Sequence, residues 1–274
     1  MRGGDLVLFE HPRWQSNWFG LRASASNAAA PHARRSDVDT LRGAAILMMV
    51  SYHFLFDLEF LKMMDLGVRT GALGFYAYLI ATMFLLLVGV SLTLSFRRAR
   101  DGATDGPLFP KYARRGAKIF LLGMLVTAVT LVYPGRGFVV FGVLHCIGLS
   151  VLLAYPFLRR RLASLAVGVG VVVVGTLALQ TTYSSPLLLW LGLAPHGFYT
   201  IDYFPLLPWF GVVLVGVFVG NSLYRPPSEN PNVKAEEGSK GSSKLAFLGR
   251  NSLLIYLLHQ PLLFAVLYPV SILI

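Results

Sequence analysis

Residues 39–57 read DTLRGAAILMMVSYHFLFD, and this stretch decides the class of fold. At about 1.5 Å per residue, a helix through it would cross most of the ~30 Å hydrocarbon core of a bilayer. Arg42 lies near the start of the apolar run, and His53 and Asp57 lie near its end. Ionisable side chains are costly in lipid and are kept mainly where they line a cavity, a proton relay or a site. The segment therefore predicts a transmembrane helix that carries functional groups.

The whole chain has the composition of a membrane protein. Of its 274 residues, 55% are hydrophobic and 14% are charged, whereas about 25% of the residues in a typical soluble domain are charged. Several further apolar runs reach the ~20 residues that a transmembrane helix needs. We therefore predict an all-α polytopic bundle of about seven helices, with spans at residues 41–61, 73–95, 116–134, 138–158, 162–180, 203–222 and 246–270.

The basic residues are distributed unevenly among the loops. Of the 24 Lys and Arg, 21 fall in the N-terminal segment and in the loops after the second, fourth and sixth spans. The other three are Lys62, Arg69 and Arg136. Because cytoplasmic loops are enriched in Lys and Arg, we predict that the N-terminus is cytoplasmic and the C-terminus lies outside. Topology thus accounts for the net charge of +11, and we expect no nucleic-acid partner.

The chain divides into a tail and one membrane domain. Residues 1–36 are expected to form a cytoplasmic N-terminal tail, for which disorder is an open alternative, and residues 37–274 to form a transmembrane domain. Within that domain, residues 225–245 have the Pro-, Ser- and Gly-rich composition of a cytoplasmic linker before the last span. Residues 183–200 are too short and polar for another crossing and predict an outer loop or re-entrant segment. The single cysteine, Cys146, excludes an intramolecular disulfide.

The first span carries a candidate catalytic pair. His53 and Asp57 are four residues apart and share one helix face. A carboxylate in this position can fix the tautomer of an imidazole and stabilise its protonated form, as in general acid–base or nucleophilic sites. The alternative is a histidine near a helix end with a solvated aspartate beside it.

Two other histidines fall at a similar depth on other helices. Counting from the ends of the fourth and seventh spans places His145 and His259 in the outer half of the membrane, level with His53. Three imidazoles at one depth predict a shared cavity. The alternative for each is a structural hydrogen bond between helices.

The predicted cytoplasmic side carries candidate phosphate ligands. Seven cations lie between Arg97 and Lys118, and arginine makes bidentate contacts with phosphate. Most of this charge is also explained by the positive-inside rule. Arg42 sits at the membrane boundary beside Gly43, which permits close backbone approach. No metal site is predicted.

Four motifs in this order resemble those of the heparan-α-glucosaminide N-acetyltransferase family, in its catalytic membrane domain and as a short, prokaryotic-type member. They are VDTLRG at 38–43, FLLLVGVS at 84–91, GVLHCIG at 142–148 and NSLLIYLLH at 251–259. The resemblance covers all of the chain except the N-terminal tail. It implies an integral-membrane transferase that takes acetyl from cytoplasmic acetyl-CoA and delivers it to an extracytoplasmic amino sugar or glycan.

The resemblance also suggests roles for individual residues. His53 is the counterpart of the family's catalytic histidine, and Asp57 is expected to orient it. The expected acceptor-binding residues are His145, Asn251, Tyr256 and His259. The expected acetyl-CoA-binding residues are Arg42, Gly43, Arg97, Arg98, Arg114 and Arg115.

The predicted function is therefore an acyl-CoA-dependent acetyltransferase of the cell membrane, with acetyl-CoA, the acceptor and the lipid bilayer as partners. An acetyl-histidine intermediate and direct transfer remain alternatives, and a homodimer is left open. The rival hypotheses are a proton-coupled or solute transporter that uses the same histidines as relay groups and a non-enzymatic membrane scaffold. The chain shows no clear internal repeat, which weakens a transporter built from inverted halves.

Overall fold

The structure is a computed structural model that describes residues 36–102, 107–135, 137–178, 186–224 and 244–273. The predicted N-terminal tail, apart from Ser36, and nearly all of the predicted linker lie outside these ranges. Eight α-helices are present in the described residues: α1 (Ser36–Phe60), α2 (Gly71–Asp101), α3 (Phe109–Val132), α4 (Val143–Leu153), α5 (Arg161–Ala178), α6 (Leu206–Leu223), α7 (Lys244–Arg250) and α8 (Ser252–Leu273). Short 3₁₀ helices at Tyr155–Phe157 and Pro186–Leu191 complete the order.

Six of the helices in the described part of the chain are long and apolar enough to cross a membrane, namely α1, α2, α3, α5, α6 and α8. The prediction of an all-α polytopic bundle is confirmed. Within the most apolar window of each helix, α2 and α6 are 56% and 50% buried, but α3 and α8 are only 11% buried. Helices α2 and α6 therefore form the centre of the bundle, whereas α3 and α8 present apolar side chains to the surroundings, as expected in lipid.

The fourth predicted span, residues 138–158, differs from a continuous helix. Only Val143–Leu153 is α-helical, which gives a length of about 17 Å. The residues before it run without helical hydrogen bonds along the end of α3, where Thr127 Oγ1 donates to the Val139 carbonyl at 2.7 Å and Val139 N donates to Thr130 Oγ1 at 3.0 Å. Non-helical backbone is tolerated at membrane depth when the protein satisfies its polar groups in this way.

A second non-helical segment lies beside the first. Phe204 N donates to the Phe141 carbonyl at 2.9 Å, and Thr200 Oγ1 donates to the Phe138 carbonyl at 2.6 Å. The segments 137–142 and 200–205 therefore meet just before α4 and α6 begin. Apolar periodicity did not reveal this arrangement, because both segments are as apolar as a helix would be.

Glycines allow two close helix crossings. A Cβ on Gly43 would lie 1.9 Å from the Leu245 carbonyl oxygen, so α1 touches α7 backbone to backbone. A Cβ on Gly89 would lie 2.1 Å from the Val213 carbonyl oxygen in α6. Small residues at such contacts let helices pack closely where no hydrophobic force drives association in lipid. The close backbone approach expected at Gly43 is thus a contact with helix α7.

Candidate functional site

His53 and His259 lie against each other. Their ring centroids are 4.7 Å apart, with an angle of 75° between the ring planes. The first ring projects from α1 and the second from α8, which are far apart in sequence and pack together in the bundle. The predicted meeting of these two histidines is confirmed, and we call them the histidine pair.

Both rings are held by carbonyl oxygens of their own helices. His53 Nδ1 lies 2.9 Å from the Met49 carbonyl oxygen, and His259 Nδ1 lies 2.7 Å from that of Tyr256. A carbonyl oxygen can only accept, so each Nδ1 carries the proton of a neutral ring. In both rings Nε2 is therefore the nitrogen with the lone pair that can take a proton or attack a carbonyl carbon.

Asp57 is bound by a residue that the sequence interpretation missed. Its Oδ1 accepts a hydrogen bond from Gln260 Nε2 at 2.6 Å, which joins α1 to α8 one residue beyond the histidine pair. Since the Nδ1 of His53 donates to Met49, a backbone carbonyl takes the orienting position that we expected Asp57 to occupy. An amide next to His259 inside an apolar helix was the available signal for Gln260.

Several buried polar atoms near the pair have no hydrogen-bond partner among the described residues. They are Asp57 Oδ2, Gln260 Oε1, His259 Nε2 and His145 Nε2. A buried polar atom without a partner costs about 1–3 kcal/mol, and natural proteins carry few of them. Three of these atoms belong to side chains of the histidine pair and of the Asp57–Gln260 contact beside it, which makes this contact a candidate place for a substrate or a proton.

His145 opens a neighbouring cavity at the start of α4. Gly142 N donates to His145 Nδ1 at 3.2 Å, and the ring stacks on Phe141 with centroids 5.4 Å apart. Gly123 leaves room for the ring, because a Cβ there would lie 3.0 Å from His145 Cε1. The cavity, called the α4 cavity below, is too tightly packed to hold a water molecule and is lined by residues including Gly123, Val139, Gly142, His145, Asp202 and Tyr256.

Asp202 was also missed by the sequence interpretation. Its Oδ2 accepts a hydrogen bond from Val143 N at 3.2 Å, at the N-terminus of α4. Partial burial raises the pKa of Asp202 to about 6, and the hydrogen bond from Val143 opposes that rise. It is the only carboxylate between Asp105 and Glu229, and this isolation in an apolar stretch was the available signal.

Tyr256 connects the two sites. Its ring lies 5.7 Å from that of His259, and its side chain lines the α4 cavity. The side chain of Tyr256 thus lies between His259 and His145. The predicted cavity shared by all three histidines is not seen in the described residues, because neither His53 nor His259 lines the α4 cavity. Asn251 lies apart from them at the α7–α8 junction, where its side-chain amide donates to the Phe247 carbonyl at 3.0 Å. Eight residues of helix, about 12 Å, separate it from His259.

An arginine on a loop covers the end of α1 that is predicted to face outside. The Arg69 guanidinium lies 5.5 Å from the Phe56 ring and 5.0 Å from the Tyr199 ring, and it donates to Tyr199 Oη at 3.3 Å. Glu59 accepts from the backbone N–H of Val68 at 2.9 Å and so holds the same loop down. Arg69 thereby ties the α1–α2 loop to the segment before α6.

Arg42 lies at the other end of α1 and is held by three helices. Its guanidinium pairs with Asp39 at 3.1 Å, donates to the Gly249 carbonyl at 3.4 Å and donates to Ser91 Oγ. Eleven residues, about 17 Å of helix, separate it from His53. A contact with a phosphate would add to these bonds.

The other predicted phosphate ligands fall into two groups. Arg97 donates to the carbonyl oxygens of Asn221 and Tyr224, so it caps the C-terminus of α6. The other three, Arg98, Arg114 and Arg115, are exposed at the end of α2 and the start of α3. The second group can approach a ligand without breaking the fold.

The model of the family described as heparan-alpha-glucosaminide N-acetyltransferase, catalytic, matches residues 34–261 of the chain. The chain belongs to this family. The match covers α1 to α7 and the part of α8 that carries His259 and Gln260. Comparison with curated proteins and with solved structures gives no match. Family membership and the six long apolar helices make the protein a membrane acetyltransferase.

Proposed function

We propose that this member of the N-acetyltransferase family moves an acetyl group from cytoplasmic acetyl-CoA to an amino sugar or glycan outside the cell membrane. The observation that carries the proposal is the histidine pair. The two rings lie 4.7 Å apart on different helices, and each has Nδ1 bound to a carbonyl oxygen, so that Nε2 of each ring keeps the lone pair. Family membership supports acetyl transfer as the chemistry at this place.

His53 would supply the reacting nitrogen. In direct transfer, the acceptor amine attacks the thioester carbonyl carbon, the C–S bond breaks, and His53 Nε2 takes the amine proton and passes it to the leaving thiolate. In the two-step alternative, His53 Nε2 attacks the thioester carbonyl carbon and the C–S bond breaks to release the CoA thiolate. The amine then attacks the acetyl-histidine, the bond to Nε2 breaks, and the amine proton neutralises the thiolate. Both routes need a ring held in one tautomer, which the hydrogen bond from Nδ1 to Met49 provides.

The donor would enter from the end at which α1 begins. The nucleotide of CoA carries phosphates that stay in water, whereas its pantetheine arm is long and slender enough to follow helices into the membrane. Arg98, Arg114 and Arg115 are exposed at that end and would bind the phosphates. Arg42 and Gly43 would lie near the entry of the arm, and Arg97 would support the site through α6. No metal is part of the proposed chemistry.

A transfer assay tests the proposal directly. Purified protein in lipid nanodiscs is given acetyl-CoA labelled in the acetyl group and a panel of amino sugars and amino glycolipids. We expect label to appear as an acetamide on at least one acceptor, and calorimetry to detect CoA binding that weakens as salt is raised. Well-folded protein that binds no CoA at low salt would overturn the proposal and leave a proton-coupled or solute transporter as the better hypothesis.

Cysteine accessibility in whole cells tests the proposed membrane and topology. A cysteine in place of Thr104 should resist an impermeant thiol reagent, whereas one in place of His196 should react. The native Cys146 is fully buried and provides a low background. The reverse pattern would overturn the cytoplasmic entry of the donor.

A further inference from the structure

The contact between Asp57 and Gln260 is buried and lacks a hydrogen-bond donor. Asp57 is 0% exposed, and its Oδ1 accepts from Gln260 Nε2 at 2.6 Å. The other two oxygens of the contact, Asp57 Oδ2 and Gln260 Oε1, are buried and have no partner within the described ranges. An ionised carboxylate and an amide oxygen can only accept, so these two oxygens cannot bond to each other.

The layers on either side of the contact are uncharged. About one helical turn before it lies the histidine pair, whose Nδ1 protons are bound to backbone carbonyls. About one turn after it, Phe60 of α1 meets Phe264 of α8 with ring centroids 5.8 Å apart. Within the part of the chain that the structure describes, Asp57 makes no ion pair. A buried carboxylate without a positive partner is costly, and such a group takes up a proton instead.

One proton on Asp57 removes both defects. A protonated carboxyl group is uncharged and has one O–H donor. With the proton on Oδ2, Asp57 can donate to Gln260 Oε1 while its Oδ1 keeps the bond from Gln260 Nε2. The two side chains then form a cyclic acid–amide pair in which every oxygen has a partner. The unpartnered atom that remains beside this contact, His259 Nε2, belongs to the histidine pair itself.

We propose that Asp57 is a protonated, uncharged acid that donates to Gln260 and so joins α1 to α8 beside the histidine pair. This makes Asp57 a positioning residue in place of the negative partner of His53 that the sequence predicted. A positive charge on His53 then has no carboxylate to stabilise it, so a proton taken from the acceptor passes on to the leaving thiolate. The role beside the pair rests on the proposed function, whereas the proton on Asp57 does not.

Infrared difference spectroscopy of the full chain in lipid nanodiscs tests this proposal at about pH 8, where carboxyl groups in water are ionised. A protonated carboxyl group has a C=O stretch that is separate from the carboxylate bands and shifts in D₂O. We expect Asp57→Asn to lose one such band. The matched control is Asp202→Asn, which should lose carboxylate bands only, because the pKa of Asp202 is about 6. If Asp57→Asn also loses only carboxylate bands, Asp57 is ionised and the inference is overturned.

Gln260→Leu provides a second test that keeps Asp57 in place and does not depend on the folding of Asp57→Asn. Without the amide, the carboxyl group loses both hydrogen bonds, and we expect its C=O stretch to move to higher frequency. A band at the wild-type frequency would show that the proton is not shared with Gln260 and would overturn the acid–amide pair. The spectra need no substrate, so a wild type that acetylates no amine would overturn the proposed function and leave this inference standing.

Discussion

The histidine pair and the α4 cavity lie on either side of Tyr256, yet they are built in different ways. The pair comes from two continuous helices, α1 and α8, on which each ring bonds to a carbonyl of its own helix. The cavity comes from two interrupted segments, where His145 meets the backbone of Gly142 and Asp202 reaches α4 from 59 residues away. In a continuous helix, the residue spacing determines which backbone carbonyl a side chain can reach. Where a helix is interrupted, the hydrogen-bond partners can come from a distant part of the chain.

The largest effect is expected from the pair itself. Replacing His53 with alanine removes the reacting nitrogen, and we expect acetyl transfer to fall about 10²- to 10⁴-fold, the usual contribution of a general acid or base. CoA affinity measured by calorimetry should be retained. His145→Phe is the comparison from the cavity and should reduce kcat far less. Equal losses in both variants would erase the distinction between the reaction centre and the packed cavity.

The contact between Asp57 and Gln260 tests how far the pair depends on its neighbours. Asp57→Asn keeps an oxygen that can accept from Gln260, and we expect about a tenfold loss of kcat with little change in KM for acetyl-CoA. Gln260→Leu removes the donor and should cost at least as much, because it leaves Asp57 buried among apolar groups. Wild-type kcat in both variants would show that the histidine pair is oriented by its backbone hydrogen bonds alone.

The cavity should be sensitive to a single methyl group. In Gly142→Ala the new Cβ would lie 2.2 Å from Asp202 Oδ2, so the carboxylate or the start of α4 must move. We expect a loss of thermal stability of several degrees. Gly170→Ala is the matched control, since nothing lies within 4 Å of its added Cβ. A cavity that tolerates the change as well as the control would be wider than the structure shows.

Variants at the other end of α1 should weaken donor binding and leave transfer at saturating donor unchanged, which is a smaller effect than that of His53→Ala. Arg42→Gln loses the ion pair with Asp39, and we expect weaker CoA binding by about three- to tenfold, with chemistry preserved at saturating donor. Arg114→Gln tests an exposed cation and should reduce the dependence of affinity on salt. If affinity and its salt dependence stay unchanged in both variants, other groups bind the nucleotide.

The smallest effect concerns pH and the cavity. Because the pKa of Asp202 is raised from 3.8 to about 6 in the folded protein, the folded state binds its proton more tightly than the unfolded state does. Its contribution to stability is therefore full below about pH 4 and is lost as the pH rises to about 6. Thermal melting across this range should show a downward slope that Asp202→Asn reduces. A slope that stays the same in the variant must come from another group.

The sequence alone determined the class of fold and much of the reaction centre. Apolar length and the low content of charge predicted a helical membrane bundle, because a transmembrane helix has strict requirements for both. His53, His145 and His259 could be selected because polar groups at membrane depth are rare and costly, and Tyr256 was added by the family resemblance. Counting residues along the helices predicted that His53 and His259 lie close together, and their contact confirms this.

Only the tertiary structure decided which atoms meet. Gln260 donates a hydrogen bond to Asp57, and backbone carbonyl oxygens accept from the Nδ1 atoms of the histidine pair. Arg42 binds Asp39 and the Gly249 carbonyl oxygen. The fourth span is partly non-helical because Thr127, Thr130 and Thr200 satisfy its backbone. The apolar pattern could not show this, since a residue in the protein interior is equally apolar in a helix or in an extended segment. Side-chain partners depend on where distant parts of the chain are brought together, and no local spacing records that.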